Sequence, residues 1–247
     1  MNKKDCEILI SECEEMLELI RSKFKKAFED PTNKEIKIPT VKSFLEHSRS
    51  ILEYSAQDIF HLVIPVAQRT AKQKSKNRNV YFPYGKSTRM FRSSVSSNLP
   101  GLKSSDEQIY NLIENLQDYK RNGESTFLSY MCKLTNENKH VSLSENERQS
   151  RDLISIGGGA IVVDSTSSVV VSNSNFNGIP SGNFKVENGQ IIGNINPLLL
   201  SETFQYEEGE YVFKDTRRNV IEFLETSLNE IKHFTNNFYK ILETKYI

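Results

Sequence analysis

The sequence predicts an α+β fold: a mainly α helical bundle of about five helices, with an antiparallel β-hairpin or meander segment inserted before the last helix. Two observations predict it. Apolar residues recur at helical spacing near both ends of the chain, and short β-branched runs broken by Gly, Ser and Asn fill the stretch between about 151 and 215. The organisation expected is a helical bundle domain of residues 1–150 and 216–247 and a β-rich insertion of 151–215.

Leu9, Cys13, Met16, Ile20, Phe24 and Ala27 form one amphipathic stripe, which predicts a helix from about Lys4 to Phe28. Asp30-Pro31-Thr32-Asn33 is a breaker cluster, since proline disfavours helical geometry in the residue before it. A second helix should begin near Thr40, carry Phe44, Ser48, Ile51, Leu52, Ser55, Ile59 and Val63 on one face, and end by Pro65. Residues 68–105 show no sustained period and read as a long loop with short ordered pieces. Two shorter helices follow, Asp106 to about Tyr119 and about Ser125 to Leu134, separated by Asn122-Gly123.

Ala160–Val163 and Ser168–Val171 read as strands, and Phe184 to Ile192 as a hairpin, because Asn188-Gly189 accepts the positive φ angles of a tight turn. A second hairpin is expected in Phe204 to Phe213, turning at Glu208-Gly209. Val220, Leu224, Ser227, Ile231, Phe234, Phe238 and Ile241 alternate steps of four and three, the most regular helical stripe in the chain.

Hydrophobic content of 37% and charged content of 26% suit a folded chain rather than a disordered one. No apolar run is long enough for a membrane span and no signal-peptide pattern opens the sequence, so no membrane and a cytoplasmic location are expected. Cys6, Cys13 and Cys132 suggest neither a disulfide framework nor a zinc ribbon, and Cys6 and Cys13 fall on the apolar face of the first helix. His47, His61, His140 and His233 lack metal-binding spacing, so no metal and no cofactor are expected.

Net charge is zero but segregated. No acidic residue lies between Asp58 and Asp106, where Arg69, Lys72, Lys74, Lys76, Arg78, Lys86, Arg89, Arg92 and Lys103 stand among Tyr81, Phe82, Tyr84 and Phe91. Such a segment can hold phosphates and stack bases, which makes RNA a candidate partner; neutralising an acidic region is an equally simple use. From Asp152 to Asp215 eight carboxylates face only Lys185 and Lys214, which makes the β segment a candidate surface for a protein partner.

Gly85-Lys86-Ser87 resembles the end of a phosphate-binding loop, but Val80 stands where that motif needs glycine. Gly157-Gly158-Gly159 runs into a strand rather than a helix. The cluster from Lys133 to His140 includes Asn136 and Lys139. There a histidine can move protons, an asparagine can orient a phosphate and lysines can offset charge, so metal-independent RNA cleavage is chemically possible. The same residues equally suit a helix C-terminus complementing the macrodipole. On the second helix Glu46, Arg49 and Glu53 share a face, either as a surface ion-pair ladder or as the wall of a groove with the Asn136–His140 cluster.

Arg49-Ser50-Ile51-Leu52-Glu53-Tyr54, Val80-Tyr81-Phe82-Pro83-Tyr84, Ile113 to Tyr119 and Asn136-Glu137-Asn138-Lys139-His140 follow an order that resembles a group of bacterial helical proteins. The Asn-x-x-Lys-His ending and paired long helices look like the higher eukaryotes and prokaryotes nucleotide-binding (HEPN) superfamily, over about 1–145 and 216–247. The resemblance implies a homodimeric, metal-independent ribonuclease of defence or toxin systems. It implies His140 as general acid/base, Asn136 as orienting group, and Lys133, Lys139 and Arg49 as charge stabilisers. Active members typically present Arg-x(4 to 6)-His; here Lys133 stands seven before His140 and Asn136 four before it. The alternative is a non-enzymatic scaffold that binds a protein partner through its acidic β segment.

Overall fold

The structure is a computed structural model. It describes every residue except 30–34, 70–79, 122–125, 141–142, 144, 158, 165–166, 177, 188–189 and 200, and the side chains of 138–140, 149–152, 164 and 201–209 also lie outside the description. The chain is mixed α and antiparallel β, with a C-terminal helix after the β region. Two compact units divide it: Met1–Glu147 with Tyr211–Ile247, and Arg148–Glu210.

In the first unit, α1 (Lys3–Phe28) lies against α2 (Pro39–Leu62), and both pack on the C-terminal helix α7 (Val220–Tyr246). Their facing stripes are those the spacing predicts. Cys6, Cys13, Ile20 and Phe24 of α1, Phe44, Ile51, Leu52 and Ile59 of α2, and Leu224, Ile231, Phe234 and Phe238 of α7 are buried in one core. Cys6, Cys13 and Cys132 are free and buried, and burial pushes their thiols up, Cys6 and Cys13 to about 11 and Cys132 to about 12. Such thiols pack as small hydrophobes rather than react. Asp58, buried on α2, accepts from Asn2 N–H at 2.7 Å and from the Tyr239 hydroxyl at 2.9 Å, so one carboxylate ties all three long helices.

The segment expected to be a long loop is largely helical where it is described. After a 3₁₀ turn at Val66–Gln68 and the undescribed 70–79 come α3 (Thr88–Asn98) and α4 (Leu102–Ser105). Ser87 caps α3 by accepting from Met90 N–H, while Phe91, Val95, Leu99 and Leu102 enter the core. Only Phe91 and Val95 mark the inner face of α3, too few in eleven residues to show a period. Gly85-Lys86-Ser87 is therefore a helix entry: a Cβ on Gly85 would lie 2.4 Å from the Phe91 backbone nitrogen.

Next come α5 (Glu107–Asn115), a 3₁₀ turn at Asp118–Lys120, and α6 (Leu128–His140), which runs past the expected end at Leu134. Asp118 caps α6 from ten residues upstream, accepting from the backbone N–H groups of Phe127, Leu128 and Ser129 at 2.8–3.1 Å. The Asp30–Asn33, Asn122-Gly123 and Asn188-Gly189 turns lie outside the described residues.

Asp106 caps α5 through Ile109 N–H and also accepts from Lys245 Nζ at 2.9 Å and the Tyr246 hydroxyl at 3.0 Å, clamping the end of α7. Burial by itself would raise this carboxyl, but the Ile109 N–H, Lys245 and Tyr246 hold it below the usual aspartate value. Its stabilisation is thus present above the unfolded value of about 3.9 and lost as pH falls through the lower folded one. Asp106→Asn keeps a capping oxygen without the charge. We expect it to be about 1–2 kcal/mol less stable than wild type at neutral pH. Urea unfolding should show the difference closing as pH falls through the lowered folded value; a gap that persists once the carboxyl is protonated would assign the loss to geometry instead.

The β region opens with β2 (Asn146–Ile156), whose first residues pair with β1 (Glu35–Ile36) and whose last pair with β3 (Ile161–Asp164). A three-stranded sheet follows in the order β4 (Val169–Ser172), β7 (Gly182–Glu187), β8 (Gln190–Ile195), with the short pair β5 (Asn175–Phe176) and β6 (Ile179–Pro180) alongside in sequence. The β7–β8 register, Glu187 opposite Gln190, is that of the expected hairpin. Phe184, Val186 and Val171 point inward with Ile154, Ile156 and Val163 to form a second core. The hairpin expected at Glu208-Gly209 is not formed: β9 (Ser201–Phe213) runs straight through and pairs with β2. An eleven-residue partner strand can occupy the backbone groups of β9 along its length, and Glu-Gly lacks the Asn or Asp that favours a tight turn.

No described helix is long and apolar enough to cross a membrane.

Candidate functional site

A cleft of about 950 Å³ opens within the first unit, walled by α2, the extended segment 80–85, α3 and α6. One face of α2 supplies Glu46, Arg49, Ser50, Glu53, Tyr54 and Gln57, at successive helical turns. Opposite stand Ser94 and Asn98 of α3 and Thr135 and Asn136 of α6.

Arg49 is the joint between the two helical walls. Its Nη1 donates to Cys132 O and to Asn136 Oδ1, both at 3.3 Å, and its Nε donates to Glu53 Oε1 at 3.3 Å. Its guanidinium carbon sits 6.0 Å from the Tyr84 ring centroid. Burial disfavours its charge, but Cys132, Glu53 and Tyr84 hold it firmly protonated. Burial pushes the Glu53 carboxyl above its ordinary value, against the opposing pull of the Phe82 N–H and Arg49. Burial likewise raises the Tyr84 hydroxyl.

The segment 80–85 is laid across the cleft as a strap. Gln57 Nε2 donates to Val80 O at 2.9 Å, Asn98 Oδ1 accepts from Tyr81 N–H at 3.2 Å, and Glu53 Oε2 accepts from Phe82 N–H at 2.7 Å. Gln117 donates to Pro83 O and accepts from Gly85 N–H. With the backbone so fixed, Val80 and Phe82 turn into the core, Phe82 meeting Phe234 edge to face at 5.5 Å, while Tyr81 turns outward.

The structure thus brings together Arg49, Asn136, Tyr81 and Tyr84, with Glu46 and Glu53 as cleft wall. Lys133 is not brought in: it pairs with Asp215 at 2.7 Å and with Glu137 at 3.7 Å. His140 closes α6 one turn beyond Asn136, and the side chains of Lys139 and His140 lie outside the described residues. Arg69 closes the end of α2, donating to the carbonyls of Phe60, His61 and Ile64 and lying over the Phe60 ring. Lys86, Arg89 and Arg92 are exposed, the latter two on the side of α3 away from Ser94 and Asn98; Lys72, Lys74, Lys76 and Arg78 lie outside the described residues.

Gln57, Ser94, Asn98 and Thr135 were not expected in a site. Gln57 stands one turn beyond Glu53 on the same face, which is a legible signal; Ser94 and Asn98 become visible only once α3 is recognised as a helix. Among the described residues no group of His, Cys, Asp and Glu is placed to hold a metal ion.

No family model matches this chain, and comparison with curated proteins and with solved structures finds no match.

Proposed function

We propose that the cleft binds RNA and that the C-terminal end of α6 cleaves it without a metal, in the manner the HEPN resemblance implies. The observation that carries this reading is the meeting of Arg49 and Asn136 across two helices at 3.3 Å, in a cleft that tyrosines also line. A firmly charged guanidinium beside an amide suits a phosphodiester, since its planar fork matches paired phosphate oxygens.

In this scheme Arg49 offsets charge on the pentacoordinate phosphorus while Asn136 orients it. The 2′-hydroxyl attacks phosphorus, the bond to the 5′-oxygen breaks, and His140 carries the proton from the attacking oxygen to the departing one. The products are a 2′,3′-cyclic phosphate and a 5′-hydroxyl. Lys139 adds positive charge at the end of α6; the charge of Lys133 is spent on Asp215.

The test is cleavage of an unstructured RNA in EDTA by purified protein. Wild type should cleave, and His140→Ala should lose about 100-fold or more in rate while still binding the RNA. Equal cleavage by His140→Ala would remove the enzymatic claim, and a wild type that neither binds nor cleaves would remove the RNA reading.

A partner-binding role for the β unit is favoured by a separate observation. Val170, 75% exposed, and Ile192 flank Lys185 in one cross-strand row of the β4–β7–β8 sheet, an apolar pair on its outward face.

A further inference from the structure

We propose that the end of the cleft bounded by Tyr54, Gln57, Tyr81 and Asn98 is a nucleobase-binding subsite, distinct from the phosphate position at Arg49 and Asn136. The proposal rests on the RNA reading above and specifies which part of the nucleotide each end receives.

Charge divides the cleft first. Its charged lining residues are Glu46 and Arg49 toward one end and Glu53 midway, where its carboxylate is held by the Phe82 N–H, whereas Tyr54, Gln57, Tyr81, Ser94 and Asn98 contribute none. Glu53 and Glu46 more than offset the single positive charge of Arg49, so a run of phosphates along the whole cleft would meet net repulsion. An uncharged portion of the ligand suits the other end. From Arg49 to Gln57 the helix advances about 12 Å, which places the two on different groups of one ligand.

The uncharged end has the chemistry of a base site. Tyr81 is 53% exposed and Tyr54 is 38% exposed, an unusual surface for two rings lining one concavity. Tyr81 is not exposed by default. Its backbone N–H is fixed to Asn98 and its neighbours Val80 and Phe82 are buried, so the strap holds the ring outward at little further entropic cost on binding. Aromatic faces of this kind stack on bases of any sequence.

Gln57 adds an edge-reading group, and Asn98 anchors the strap beside it. Gln57 Nε2 is held by Val80 O, which directs its amide, and among the described residues nothing donates to its oxygen. Asn98 donates to Ser94 O, which fixes the amide whose oxygen holds the Tyr81 N–H. An acceptor on a fixed amide, beside exposed aromatic rings, suits the hydrogen-bonding edge of a stacked base.

The experiment compares a fluorescent single-stranded RNA with an otherwise identical strand carrying abasic sites, by anisotropy at one fixed salt concentration. Both strands present the same phosphates. Wild type should bind the base-bearing strand about tenfold or more tighter than the abasic one. Tyr81→Ala, at an exposed position where the fold should persist by circular dichroism, should erase that preference; Tyr81→Phe should keep it.

A wild type that binds both strands equally would overturn the base subsite while leaving RNA binding in place. Undiminished discrimination by Tyr81→Ala would likewise overturn it. Binding of neither strand would instead bring down the RNA reading, and the subsite with it.

Discussion

Phe234→Ala should destabilise the helical unit by about 3–5 kcal/mol, the range for deleting a buried phenylalanine. Phe234 is fully buried on α7, stacked parallel with Phe238 at 5.7 Å and edge to face with Phe82 at 5.5 Å. Alanine would leave a cavity beneath the strap, bounded by helices whose other contacts resist collapse into it. At roughly 2–4 °C per kcal/mol for a unit of this size, the melting temperature should fall by about 10 °C. Thermal unfolding followed by helical circular dichroism measures this directly. Phe234→Leu, which keeps much of the volume, should lose less than half as much. A loss below about 1 kcal/mol for the alanine variant would show that the strap is not closed against α7.

On the ribonuclease reading proposed above, Arg49→Ala should lower RNA turnover by about 100-fold, the usual scale for removing a donor that faces developing charge. The same change leaves Glu53 without its cation, and each side chain of the pair keeps only about a fifth of its surface exposed. We therefore expect a stability loss as well, about 1–3 kcal/mol, smaller than for a fully buried pair. The two effects separate in a second variant. Arg49→Ala with Glu53→Gln removes the stranded charge, so it should regain much of the stability while turnover stays low. Full recovery of turnover in the double variant would reduce Arg49 to a structural role. Arg49→Lys adds a third comparison, because lysine keeps the charge on one nitrogen and lacks the Nε that holds Glu53 while Nη1 reaches Cys132 O and Asn136.

The parts of this architecture legible in the sequence are those with repeated signals. The helices α1, α2 and α7 each run for more than six turns with a continuous apolar stripe, and the β7–β8 hairpin carries both a turn signal and alternating flanks. What escaped is fixed from a distance. The start of α6 is set by Asp118, well upstream of the helix it caps, so local reading places it too early and stops it too soon. The helix α3 has two inner apolar residues among serines and arginines, and its stability comes from a cap and the core it meets. β9 follows a strand more than forty residues away in the chain rather than its own Glu-Gly signal.

The site shows the same division. Arg49, Glu53, Tyr81, Tyr84 and Asn136 are visible as charged, aromatic and amide residues in suggestive order. Their meeting depends on α2 and α6 packing side by side, which no local pattern encodes. Lys133 illustrates the converse: at a catalytic spacing in sequence and within one turn of Asn136, it is held instead by Asp215, a partner distant in the chain that no local pattern announces.

The strap of residues 80–85 has one more consequence, for how such a surface can change over generations. Its path is written by Gln57, Glu53, Asn98 and Gln117, none of which belongs to it. The exposed side chain at 81 takes no part in that specification, and its backbone bond survives any non-proline replacement. Drift at this position therefore alters what the surface meets without asking the chain to relearn its course, and selection can act on the one while the other stands still.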